Sequence, residues 1–168
     1  TAAFAIGCVL AGIAGAEPHT YAPQNAWNLR VGRHNESAPA LATNGNIYVT
    51  TLDGELYAIR PDSTPRWRFA FDFETVSTPA IGADGTIYFG CRNRHLYAVT
   101  PTGQLHWRFK TGNWVDASPA LGSNGTIYFG SWDKKFYAVN PDGTKQWEFA
   151  TGGPVVSSAA IDRAGEDT

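Results

Sequence analysis

Beyond residue 20 the chain alternates short apolar runs with turn residues, and no apolar stripe at i, i+3, i+4 is long enough for a helix. Residues 76–115 show the pattern. Val76 to Ile81 is β-prone, Asp84-Gly85 predicts a two-residue type I′ turn, and Thr86 to Phe89 is a second strand. Leu96 to Val99 makes a third strand after a link around Asn93-Arg94. Pro101-Thr102-Gly103 then turns the chain into a fourth, His106 to Lys110. Asn44-Gly45 and Asn124-Gly125 occupy the first turn slot elsewhere, and Pro61-Asp62 and Pro141-Asp142-Gly143 the last.

The pattern recurs every forty residues. Pro39-Ala40, Pro79-Ala80 and Pro119-Ala120 keep that step, as do Trp67, Trp107 and Trp147. Residues 76–115 and 116–155 align without a gap and share nineteen of forty identities. A period in this range marks a repeat architecture, and four short antiparallel strands per repeat make one propeller blade. The fold class is therefore all-β, a β-propeller. Each fourth-strand Trp shares a face with the Phe two positions on, which assigns Trp67, Trp107 and Trp147 to blade-to-blade packing. Tyr88, Tyr128, Tyr97 and Tyr137 keep the same step and belong to the scaffold.

The register divides the propeller region, 27–168, into an outer strand of a preceding blade (27–35), full blades at 36–75, 76–115 and 116–155, and the start of another at 156–168. Three full blades with partial ones form an incomplete arc, and the reading expects the remaining blades of a seven- or eight-bladed ring in the same protein. Ahead of the repeats, Ala2 to Ala16 is an unbroken apolar and glycine stretch. It is too short for a spanning helix, and Ala14-Gly15-Ala16 reads as a signal cleavage site before Glu17. Residues 1–16 are read as a signal-peptide remnant and 17–26 as a linker, with no transmembrane span in the mature chain. Ala5-Ile6-Gly7-Cys8 leaves lipid anchoring open. The expected location is the periplasm or cell surface of a bacterium.

Composition narrows the function. Hydrophobic residues make up 43% and aromatics 13%, enough for a packed core, and the formal net charge of −2 carries no basic cluster for nucleic acid. The four histidines share no metal-ligand spacing, and no Ser-His-Asp set, phosphate loop or paired carboxylate motif is visible. With Cys8 removed, Cys91 is the single remaining thiol.

Ser118-Pro119-Ala120, Gly125 to Gly130, Tyr137-Ala138-Val139, Pro141-Asp142-Gly143 and Trp147 together resemble the propeller repeat of the quinoprotein (PQQ) dehydrogenase superfamily, over residues 27 to about 162. The spacing from Ala138 through Gly143 to Trp147 is similar to that superfamily's tryptophan-docking motif. The resemblance implies the propeller fold. Members of that superfamily include PQQ- and calcium-dependent alcohol dehydrogenases, the non-enzymatic propeller lipoprotein of the outer-membrane barrel assembly machine and many exported proteins of unknown role, so the resemblance implies the fold more firmly than an activity. The adjacent cysteines typical of the dehydrogenases are absent, and no calcium-ligand or base set matches. The favoured expectation is a non-catalytic binding or scaffolding module without a bound cofactor. A quinoprotein dehydrogenase fragment and a carbohydrate-binding propeller stand as alternatives.

Comparing repeats separates scaffold from specific positions. Variable residues cluster in the loops between second and third strands (52–55, 92–95, 132–135) and between blades (72–74, 113–116, 153–154), which share one rim. Trp114 and Trp132, off the forty-residue step, are candidate aromatic platforms for a protein or glycan, with Asp116, Asp133 and Arg92 as polar neighbours. His95 with Arg92 and Arg94 is a candidate anion site.

Overall fold

A computed structural model describes residues 29–32 and 34–161. Twelve strands form three four-stranded antiparallel sheets, and no helix is present among the described residues. Blade 1 comprises β1 (Ala40–Leu41), β2 (Ile47–Thr51), β3 (Glu55–Ile59) and β4 (Pro65–Ala70). Blade 2 comprises β5 (Ala80–Ile81), β6 (Ile87–Cys91), β7 (His95–Val99) and β8 (Leu105–Lys110). Blade 3 comprises β9 (Ala120–Leu121), β10 (Ile127–Ser131), β11 (Lys135–Val139) and β12 (Lys145–Ala150). Each sheet runs in chain order. The signal, the linker, Trp27 and residues 162–168 lie outside the described residues. The described parts of 27–35 and 156–161 carry no strand, unlike the flanking-blade strands expected there. A strand is held by its ladder partners, and neither segment has one among the described residues.

The first hairpin also differs from expectation. Its ladder ends earlier than a two-residue loop would allow: in blade 1, the last pair is Leu41 facing Ile47. The Gly45 N–H donates to Ala42 O at 2.9 Å and the Ala42 N–H to Asn46 O at 2.9 Å. Only the glycine takes positive φ (Gly45 81°, Gly85 82°, Gly125 82°), so the turn is a four-residue one closed by a left-handed residue, not type I′. The Asn44 carboxamide oxygen accepts the Asn46 N–H at 3.0 Å, an Asx contact that favours this geometry.

Because both faces of a middle blade are covered, its central strands are buried and apolar apart from His95, the first residue of β7. Ile87, Phe89 and Cys91 pack with Tyr48, Leu56 and Ala58 of blade 1, while Tyr88, Leu96 and Ala98 pack with Ile127, Phe129 and Val139 of blade 3. Gly90 allows the blades to close: a Cβ there would stand 2.3 Å from Val115 O.

The tryptophans lock successive blades. Trp67 Nε1–H donates to Pro101 O at 2.9 Å, and Trp107 Nε1–H to Pro141 O at 2.8 Å. Beneath each indole lies a glycine at positive φ, Gly103 (84°) and Gly143 (85°), where a Cβ would meet the ring at 2.7 and 2.8 Å. Ser63 holds that slot in blade 1 at φ 70°. Trp147 has no following turn among the described residues and is 42% exposed. Nearer the first strands, hydroxyls bridge blades at the forty-residue step: Ala38 N–H to Thr78 Oγ1 (3.0 Å), Thr78 N–H to Ser118 Oγ (2.9 Å) and Ser77 Oγ to Ala117 O (3.2 Å).

Candidate functional site

The two variable loops of each blade are stitched by one backbone hydrogen bond in the same slot. Leu52 N–H donates to His34 O, Arg92 N–H to Glu74 O and Trp132 N–H to Trp114 O, at 3.1, 3.1 and 2.9 Å. The loops therefore share a rim, and the side chains at the stitched positions are presented by fixed backbone.

At blades 2 and 3 those side chains converge. Arg92 Nε donates to Asp116 Oδ1 at 2.9 Å, its Nη2 to Asp116 Oδ2 at 3.3 Å, and its Nη1 to Glu74 Oε1 at 2.8 Å. Its Cζ stands 5.2 Å from the centre of the Trp114 ring. Trp132 Nε1–H donates to Asp116 Oδ2 at 2.9 Å, and the two indoles meet edge to face, centroids 5.9 Å apart at 71°. Asp116, with a side chain only 9% exposed, thus holds a guanidinium and an indole at once. The bidentate bond to Asp116, then the bond to Glu74, raises the Arg92 pKa further above its ordinary value. Trp114 and Trp132 remain 38% and 37% exposed. The arrangement is a rigid aromatic surface whose one guanidinium is shared by two carboxylates.

Of the residues singled out from the sequence, Trp114, Asp116, Trp132 and Arg92 come together. Asp133 instead ties the end of blade 2 to Tyr137 of its own blade. Its Oδ2 accepts the Gly112 N–H and the Tyr137 hydroxyl, each at 2.7 Å, because the hairpin directs it inward under the loop. Burial first, then Asp133, raises the Tyr137 pKa. Arg94 sits at an exposed hairpin tip with φ 69°, in the slot of Gly54 and Lys134. His95 begins β7, with Nδ1 2.9 Å from Asn93 O. The Arg92, Arg94 and His95 anion site is therefore not assembled, since both carboxylates claim Arg92. Glu74 joins this cluster without having been singled out in the sequence. Its signal was an acid in a loop sharing a rim with an unpaired arginine.

Phe73, next to Glu74, is 60% exposed and has φ 86°. A bulky residue in that region is strained by about 1–3 kcal/mol. It extends the exposed aromatic character of this rim. Among the described residues no three His, Cys, Asp or Glu side chains are grouped to hold a metal ion. No helix of the described residues is long and apolar enough to cross a membrane.

The family model described as outer membrane protein assembly factor BamB matches residues 74–167. BamB from Moraxella catarrhalis superposes with a TM-score of 0.65 at 18% identity, over 74% of this chain and 39% of that one. The structure of U3-55K superposes with a TM-score of 0.70 at 14% identity, over 78% of this chain and 44% of that one. At these identities the likeness speaks for the propeller fold, and the chain spans about two fifths of the length of the structures it matches. No curated protein matches.

Proposed function

From the premise that the chain belongs to the family of outer membrane protein assembly factor BamB, we propose that it is an exported, non-catalytic propeller that docks a protein partner on the rim of blades 2 and 3, in the assembly of outer-membrane proteins. One observation carries this reading. Trp114 and Trp132 are exposed yet held by Arg92, Asp116 and Glu74. Tryptophan and arginine at a preorganised site are the residue types that dominate protein interfaces, because little side-chain freedom is lost on binding. The edge-to-face indoles offer no single flat platform, which favours a shaped protein surface over a stacked sugar ring.

The test is photo-crosslinking in a bacterial envelope from a reactive amino acid at position 113 or 134, with Trp114→Ala and Trp132→Ala as comparators. The expected result is an adduct with an outer-membrane assembly component, reduced at least tenfold in either variant, a loss typical of a removed aromatic anchor. Unchanged adducts in both variants would remove the rim assignment. Recovery of the chain only from the cytosolic fraction would remove export.

A further inference from the structure

Blade 2 departs from its neighbours at one cross-strand position. The registers place Tyr57 opposite Arg68 and Glu55 opposite Ala70 in blade 1, and Tyr137 opposite Glu148 and Lys135 opposite Ala150 in blade 3. Diagonal neighbours on a face are within reach of long side chains. In both blades the diagonal is an ion pair, Arg68 Nη1 to Glu55 Oε1 at 3.0 Å and Lys135 Nζ to Glu148 Oε1 at 2.6 Å. Blade 2 sets Tyr97 opposite Arg108 and His95 opposite Lys110. Here the acid is replaced by His95, and Lys110 stands where the other blades have alanine. These three slots sum to neutral in blades 1 and 3 and to two positive charges in blade 2.

Arg108 and Lys110 are exposed and have no carboxylate partner among the described residues. Burial lowers the His95 pKa, and the nearby Arg108 and Lys110 lower it further, so His95 adds no charge near neutral pH. In addition, β8 ends the sheet order β5-β6-β7-β8, leaving the backbone groups of its outer edge without a ladder among the described residues.

We propose that the outer edge of blade 2 receives an extended acidic segment of a partner protein, which adds to β8 as a fifth strand and supplies carboxylates to Arg108 and Lys110. Two residues apart on a strand is about 7 Å, the spacing of carboxylates at every second position of an extended chain. The unpaired strand edge selects a polypeptide, because a lipid surface has no backbone with which to pair. Two cations also fall short of the four to eight that recruit an anionic membrane. This site is separate from the aromatic rim, and neither reading requires the other.

The probe is a fluorescent peptide with Glu at alternate positions and Thr or Val between, titrated against the full chain at low salt beside its Gln counterpart. The expected result is that the Glu peptide binds at least tenfold tighter, with affinity falling as salt rises. Arg108→Gln with Lys110→Gln is expected to remove that advantage, while Arg66→Gln on β4 leaves it intact. Lys110→Gln alone, at an exposed position, serves if the double variant fails to fold. His95→Glu restores the counter-charge of blade 1 and is expected to weaken the peptide about as much as the double variant. Amide exchange should slow at alternate β8 positions in the complex. Equal binding of both peptides, no loss in the cation variants, or binding to phosphatidylglycerol vesicles without binding to the peptide would each overturn the proposal.

Discussion

Cys91 shows how much a single position owes to its packing. Its side chain is fully covered between blades 1 and 2, with Sγ 3.5 Å from Asp72 O and 3.4 Å from Glu74 O. Burial pushes the thiol pKa up to about 11, so at neutral pH the nucleophilic thiolate is scarce. In a Cys8→Ser background, a maleimide or disulfide reagent is therefore expected to leave Cys91 untouched in buffer and to label it fully in denaturant. Prompt labelling of the native chain would contradict the packing described. Gly143 carries a second residue-scale expectation. Gly143→Ala combines a left-handed φ with a Cβ 2.8 Å from the Trp107 ring and should cost about 1–3 kcal/mol in urea unfolding. Gly152→Ala, with nothing within 4 Å, should be close to neutral.

At the scale of strands and turns, legibility depended on whether a feature repeats. The tryptophan slots, the Gly-x-Ile-Tyr strands and the proline turns recur in register, so their role as scaffold could be read from spacing alone. The hairpin type could not, because Asn-Gly and Asp-Gly are compatible both with a type I′ turn and with the longer turn found here. Register decides between them. The same holds for the site residues. Arg92 and Asp116 are 24 residues apart on different blades, and Asp133 and Asp116 look equivalent in sequence although one points under its loop and the other across the rim. Adjacency in sequence groups His95 with Arg92 and Arg94, whereas pairing of β7 with β8 gives it Lys110 and Arg108. That environment carries a pH expectation. Burial holds the folded pKa of His95 below its ordinary value of about 6.5, so the unfolded state binds its proton more readily. Stability should then be present above pH 6.5 and decline as pH falls below it, measured by urea midpoints at several pH values. His95→Gln should flatten that decline, and an unchanged slope would show that other groups set it.

Across the three blades, contacts join each sheet chiefly to the one before and the one after. Stability in such an array is close to a sum of blade and junction terms. The junction between blades 1 and 2 and that between blades 2 and 3 are built alike, each with a buried aromatic cluster, an indole hydrogen bond and a hydroxyl bridge. Against that uniform frame, the differences stand out as two surfaces. The rim of blades 2 and 3 has aromatic groups among mutually paired charges, and the outer edge of blade 2 has cations with no carboxylate partner among the described residues.

The tryptophan lock has a direction in time as well as in space. Trp67 and Trp107 each find their acceptor 34 residues downstream, never upstream. A chain emerging from the ribosome therefore presents each indole before its acceptor exists, and synthesis of the next Pro-x-Gly turn closes the junction. Vectorial growth would lay the blades down in order, with an open face at the growing end and each junction behind it closed in turn.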